Sequence, residues 1–343
     1  MKHLVLAAAL TLIVPQAFAS KARLDSLQGA TFLKDTQTVF LNPAHMHSLG
    51  QYLTFEAGAQ GTTGTKAEGG FLRNDGDVKY GAYLGHMSPF QNAYRASGYA
   101  LGGTFLAQQN PVSLMYGKND WGVVLDLSNS DKKSTSEKET TVGIRFGQQA
   151  EDSEYYVSLD LLGNAEAASN KMSTTVLGLG YEKASGAWYY NASLAYAMTK
   201  ADVAPASESG SEALISLSAA NRSLKTDRAD IYYGAGLDIV SGKIASANRS
   251  ILRLPLFLGL EHQTSSWLVT RVSVSQPLFI SNAKDQISAA TADTDTLANA
   301  TRVAAGVGIK YQEFVIDGSV MAAANGNING NQVLSQAALT YTF

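Results

Sequence analysis

Residues 333–343 read Val-Leu-Ser-Gln-Ala-Ala-Leu-Thr-Tyr-Thr-Phe. Taken in steps of two from the last residue, Phe343, Tyr341, Leu339 and Ala337 share one side, and Thr342, Thr340 and Ala338 share the other. Side chains of a strand alternate between two faces, so this is a strand with one apolar face and one polar or small face. Chain ends of soluble proteins usually fray into water. A last strand that turns a large aromatic away from its polar side suits a barrel with lipid outside, a lumen inside and aromatics at the interface.

The other end of the chain fits export to such a site. Met1, Lys2 and His3 give a short basic start, residues 4–14 are almost wholly apolar, and Ala17-Phe18-Ala19 has the small-x-small form of a cleavage site. The apolar run is about half the roughly twenty residues a membrane-spanning helix needs, and Pro15 breaks it. The expected division is a signal peptide over 1–19, an N-terminal segment over 20–50 and a barrel over 51–343. The chain has no cysteine, so an exported protein of this kind must be held by a long hydrogen-bonded ladder or a large core. A formal net charge of -3 gives no reason to expect a nucleic-acid partner.

From residue 51 onward, alternating runs recur. Trp121, Val123, Leu125 and Leu127 oppose Gly122, Asp126 and Ser128; Tyr155, Val157, Leu159 and Leu161 oppose Glu154, Ser158 and Asp160. Leu252, Leu254, Leu256, Leu258 and Leu260 oppose Arg253, Gly259 and Glu261, and similar runs cover residues 230–239 and 302–311. Runs of about nine to thirteen residues match tilted strands crossing a bilayer, and exceed the five or six residues usual in soluble sandwiches. Short links (118–119, 148–153, 183–185, 262–265, 312–313) alternate with longer polar ones (129–137, 163–171, 199–210, 241–250, 276–299, 322–332). That asymmetry is expected of tight periplasmic turns and longer outer loops. The fold class is therefore all-β: a transmembrane antiparallel up-and-down barrel of about 16 strands, with 14 as the alternative.

In residues 20–50, the run 22–27 suits one or two helical turns. Residues 35–44 read as an extended piece stopped by Asn42-Pro43, since the residue before proline is pushed out of the helical region. The segment is expected at the barrel mouth or partly inside it.

Chemistry is sparse in the sequence. His45 and His47 could share a face of an extended segment, but with no cysteine and no third ligand indicated, no metal is assigned and no cofactor is expected. His86 and His262 lack a Gly-x-Ser-x-Gly elbow, so an enzyme is not expected. Gly178/Gly180, Gly234/Gly236 and Gly306/Gly308 sit mid-strand without the helix a phosphate cradle needs, and read as wall positions that something approaches closely. Residues 285–299 lack the regular Asp spacing of a calcium loop.

The informative constellation is charge on the polar faces: Arg145, Arg253, Arg271, Arg302 and Lys310 with Asp126, Asp160, Asp238, Glu261 and Asp317. A charge on the lipid face would cost roughly 2–4 kcal/mol near the midplane, so these positions must face a lumen or an interface. Both signs are present. The expectation is either a weakly selective lumen or pairing across the wall that fills a closed interior.

Two resemblances follow from particular residues. The last strand, with Leu339, Tyr341 and Phe343, resembles the C-terminal strand that the β-barrel assembly machinery recognises in bacterial outer-membrane barrels. Residues 22–24, Leu27, Asp35, 39–44 and 53–56 resemble the start of the PopA-like family, porin-like outer-membrane proteins of predatory bacteria. This second resemblance implies a porin-like barrel in the cell outer membrane, assembled as a homo-oligomer that can enclose outer-membrane lipid. Asn42-Pro43-Ala44 is also similar to a tripeptide near the start of fatty-acid-transporter barrels. The functional expectation is a porin-like barrel, passing small polar solutes passively or serving as an abundant structural envelope protein. The alternative is a plugged barrel that transports hydrophobic molecules and presents an apolar pocket near residues 39–41.

Overall fold

The computed structural model describes residues 20–59, 65–96, 105–203, 206–279, 283–286, 293–294, 301–323 and 336–343. The leader over 1–19 and much of the links expected over 276–299 and 322–332 lie outside the described residues.

Among the described residues are eighteen strands in one antiparallel sheet. They are β1 (Tyr52–Ala59), β2 (Thr65–Asp75), β3 (Val78–Leu84), β4 (Val112–Lys118), β5 (Trp121–Lys132) and β6 (Glu137–Ala150). Then come β7 (Ser153–Ala167), β8 (Asn170–Ser185), β9 (Trp188–Val203), β10 (Ala206–Asn221), β11 (Ala229–Ile244), β12 (Ala247–Gln263) and β13 (Leu268–Phe279). The last are β14 (Ala283–Asp285), β15 (Asp293–Thr294), β16 (Arg302–Tyr311), β17 (Phe314–Ala323) and β18 (Gln336–Thr342). β14 and β15 form a small hairpin laid on β12 beyond the wall, while β13 pairs directly with β16. The wall is thus a closed sixteen-strand up-and-down barrel, sealed where Tyr52 meets Thr342 and Gly58 meets Gln336.

Alternation decides what each wall residue faces. On β9 the outward positions Trp188, Tyr190, Tyr196 and Met198 are 38–51 % exposed, while Asn191, Ala197 and Thr199 are buried inward. Ten residue steps at about 3.3 Å, tilted by roughly 40°, span a height of about 25 Å, matching the apolar band of a membrane barrel. Beyond Met198 the outward residues become Lys200 and Asp202, yet β9 continues to Val203. An aromatic girdle forms at the short-turn edge of the band. There Tyr116 packs against Trp121, Trp121 against Phe146, Tyr155 against Tyr181, and Tyr341 against both Phe314 and Phe343.

Three links expected to be long loops are strand instead. Residues 163–171, 199–203 with 206–210, and 241–250 extend β7 to β12, and Ala168 and Ala245 turn the chain tightly with positive φ. The ladder hydrogen bonds carry these hairpins past the apolar band, so their polar outward residues do not mark the end of a strand.

The interior holds two inserted segments. Residues 20–49 enter at the short-turn end: helix α1 (Lys21–Ser26), then short 3-10 turns at Thr38–Phe40 and Pro43–Ser48. The piece read as extended over 35–44 is 3-10 in part because Asp35 Oδ1 accepts from Gln37 N and Thr38 N, fixing a turn that residue-type preference does not reveal. The second segment, not expected from the sequence, is helix α2 (Pro89–Ala96) with the described residues from Phe105, placed in the opposite half. Ser88 caps α2 through Gln91 N, and Pro89 sits in its first turn.

Both segments pack like cores. Leu27, Ala30, Phe32 and Leu33 meet Ala220, Tyr232 and Phe257 of the wall. Val39, Phe40, Met46 and Leu49 meet Tyr52, Leu72, Tyr83, Met115 and Val124. Tyr94 and Phe105 meet Met172, Val176, Ala197 and Ile244.

Candidate functional site

The chemistry lies where the inner segments touch the wall. Of the charges singled out in the sequence, most are paired inside the lumen. Arg145 Nε donates to Asp126 Oδ2 at 2.6 Å and its Nη1 to the carbonyl of Phe40 at 2.7 Å. Arg253 Nε donates to Asp238 Oδ2 at 2.8 Å. Arg271 bridges two strands, donating to Glu261 Oε2 and to Asp317 Oδ1, both at 2.6 Å. Asp160 accepts from Ser88 Oγ of the α2 segment at 2.9 Å. Arg302 is exposed at the start of β16 and Lys310 half-buried near its end.

The inner segment is attached on nearly all sides. Arg23 makes a bidentate pair with Glu261 of β12, at 2.7 and 2.8 Å. Lys21 pairs with Glu68 of β2, and Lys34 with Glu154 of β7. Gln37 Nε2 donates to Glu56 Oε1 at 2.7 Å and to Glu68 Oε1 at 2.8 Å. Tyr232 Oη donates to the carbonyl of Gln28 at 3.0 Å. Burial pushes the Asp35 carboxyl up to about 6, against the pull of Arg23 and of the backbone amides of Thr38 and Gln37.

Asn42, Pro43 and Ala44 have a defined place. Asn42 Oδ1 accepts from Ala44 N at 3.1 Å and its Nδ2 donates to Glu154 Oε2 at 2.9 Å. The tripeptide lies against Gly122 and Gly147 so closely that a Cβ at either would strike it. Gly306 is likewise approached by Ser26, where a Cβ would come within 2.6 Å of the serine Cβ. Close approach explains these wall glycines. Gly180 and Gly178, in contrast, make room for Tyr156 and Ser158 of the neighbouring strand.

The two close histidines part company. His47 Nε2 contacts the carbonyl of Trp121 at 2.8 Å. His45 is 1 % exposed and turns toward Glu154 of β7 and Glu182 of β8, with Nε2 at 2.9 and 3.4 Å from their Oε2 atoms. Two further candidate ligands, not indicated by the sequence, thus arrive from strands more than a hundred residues away. Burial alone would lower the His45 pKa, but the two carboxylates outweigh it and raise it to about 9. His86 stacks on Phe40 with ring centroids 3.6 Å apart, and burial holds its imidazole below the usual range despite Glu68 nearby. His262 lies at the end of β12, with Nδ1 3.3 Å from Thr264 Oγ1.

The α2 segment is anchored in the same manner. Arg95, with no exposed side-chain surface, donates to Glu139 Oε2 at 3.2 Å and Thr141 Oγ1 at 2.8 Å. Tyr94 Oη donates to Glu212 Oε1 at 3.1 Å. A cavity of about 10 Å³, room for one water, is lined by His86, Ser88, Ser113, Asp126, Arg145 and Asp160 among others. Leu339, Tyr341 and Phe343 face outward on β18 in the girdle, and Arg73 lies over the Phe343 ring at 5.8 Å.

No protein-family model and no curated protein matches the chain. Among solved structures it is similar to the outer membrane channel DcaP of Acinetobacter baumannii (10 % identity, 86 % of this chain and 96 % of that one, TM-score 0.44). It is also similar to the anion-selective porin from Comamonas acidovorans (9 % identity, 86 % and 97 %, TM-score 0.43). A third similar structure is the toluene transporter TodX of P. putida (11 % identity, 88 % and 92 %, TM-score 0.39). None of these carries the PopA-like assignment, which rests on residues 22–56 alone.

Proposed function

We propose that this protein is a porin-like barrel of the bacterial outer membrane, held closed by its own residues 20–49 and serving as a gated passive route for small polar solutes. One observation carries the reading: the N-terminal segment occupies the short-turn end of the lumen and is pinned to three well-separated strands, by Lys21 to Glu68 of β2, by Lys34 to Glu154 of β7 and by Arg23 to Glu261 of β12. A segment so attached is a plug. The outward apolar band and its aromatic girdle favour lipid around the barrel. The polar solute class follows from the inward wall, where Asp126, Arg145, Asp238 and Arg253 would line the path once the plug moved. Transport of hydrophobic molecules is less well supported, because Val39 and Phe40 are buried within a packed cluster. The homo-oligomeric ring and enclosed lipid implied by the PopA-like resemblance remain with that resemblance.

Conductance in planar bilayers tests the reading. The full mature chain is expected to be nearly silent, and a variant lacking residues 22–44 to give steady, weakly selective steps. Full-size steps from the intact chain would overturn it.

A further inference from the structure

The contacts around His45 favour one tautomer. Thr38 Oγ1 has one proton and the carbonyl of Asp35 lies 3.1 Å away to accept it. With the hydroxyl so turned, the 2.8 Å contact with His45 Nδ1 has the ring donating, with a hydrogen on Nδ1. Nε2 then faces two carboxylates, and a bare lone pair there would be repelled by both. Something positive must lie between them.

A proton on Nε2 meets only part of that need. Nε2 lies 2.9 Å from Glu154 Oε2 and 3.4 Å from Glu182 Oε2, yet it makes a hydrogen bond to neither. Glu182 is 1 % exposed, and its Oε2 has no hydrogen-bond partner. A buried carboxylate oxygen without a partner is costly.

We propose that His45, Glu154 and Glu182 form a binding site for a divalent transition-metal ion of the zinc class, which ties the inner segment to β7 and β8. One ligand atom from each of the three lies within 4.8 Å of the other two. Metal–ligand distances of about 2.0–2.1 Å in a tetrahedron place ligand atoms roughly 3.3 Å apart, between the two observed separations from Nε2. Each carboxylate is already oriented through its other oxygen. Glu154 Oε1 takes Lys34 and Gln149 Nε2, and Glu182 Oε1 accepts from Asn191 Nδ2. The Thr38 contact favours that imidazole tautomer, as outer partners of metal-bound histidines do. One imidazole and two carboxylates, without thiolate, suit Zn²⁺ with water in the fourth position.

The test is metal binding itself, measured in detergent on untagged full-length protein freed of metal by a chelator, so it reads independently of conductance. Titration with Zn²⁺ is expected to saturate at one ion per chain. His45→Ala and Glu182→Gln should each weaken binding more than 100-fold, and Thr38→Val by about 10- to 100-fold through loss of ring orientation. Folding of each variant is checked by its heat-dependent gel migration. Should a variant not fold, X-ray absorption of the Zn²⁺-loaded native protein decides: a first shell of one imidazole with oxygen ligands supports the site, and several imidazoles overturn it. No saturable binding by the native protein, or unchanged affinity in both folded variants, also overturns it.

Discussion

Replacing Arg23 by Ala should loosen the plug while leaving the wall intact. Arg23 gives Glu261 two charge-assisted bonds at 2.7 and 2.8 Å, with the two side chains 11 % and 19 % exposed. Its loss does not strand Glu261, which keeps Arg271 at 2.6 Å. The cost is therefore not the roughly 3–5 kcal/mol of an orphaned buried charge but about 1.5–3 kcal/mol, the range for hydrogen bonds to charged groups. Because Arg23 belongs to the inner segment, that energy falls on docking, and the undocked population should rise about 10- to 150-fold. The assay is fractional open time in planar bilayers, paired with the melting midpoint of the barrel from heat-dependent gel migration. An open time within twofold of the native protein, or a melting midpoint that falls without channel opening, would refute the reasoning.

Three further outcomes are expected. Arg95→Met strands Glu139 in the interior and should cost roughly 3–5 kcal/mol of stability in urea unfolding from micelles, much of it recovered by adding Glu139→Gln. Asp35 has its pKa raised from 3.8 to about 6 on burial, so its stabilising contribution is present at low pH and lost as pH rises through about 6. Between pH 4 and pH 7.5 the native protein should lose roughly 3 kcal/mol of docking stability relative to Asp35→Asn, read from urea midpoints at the two pH values. Leu256→Arg, on the outward face of β12 near mid-band, should cost about 2–4 kcal/mol of folding into lipid vesicles, and Asp202→Arg beyond the band less than about 1 kcal/mol.

The wall was legible because alternation is a local property. Residues 252–261 state their own two faces, and counting back from Phe343 to Val112, with residues 51–87 added, gives the observed sixteen strands. The hairpin extensions were hidden because beyond Met198 the outward face turns polar, and a polar outward face alone cannot separate a protruding strand from a loop. Wall charges could be assigned to the lumen by parity, but not their partners. Arg271 meets an aspartate 46 residues away across β16, and Arg23 a glutamate 238 residues away, pairings that strand order and insertion of the N-terminal segment create. Asn42 and the wall glycines shared a signal recognisable in part, since small residues mid-strand announced a close neighbour without naming it. Helix α2 left a weaker trace, Ser88 before Pro89, within a stretch of chain that otherwise lacks periodicity.

A reversible lock on the plug is the most direct test of the account. The native chain has no cysteine, and Thr31 Oγ1 of the inner segment lies 3.5 Å from Ser218 Oγ of β10. Thr31→Cys with Ser218→Cys, introduced beside Arg23→Ala, should allow a disulfide between plug and wall. Single channels are recorded before and after a reductant is added to the same bilayer. The account predicts closed channels when oxidised and opening steps once reduced; equal conductance in both states would contradict it.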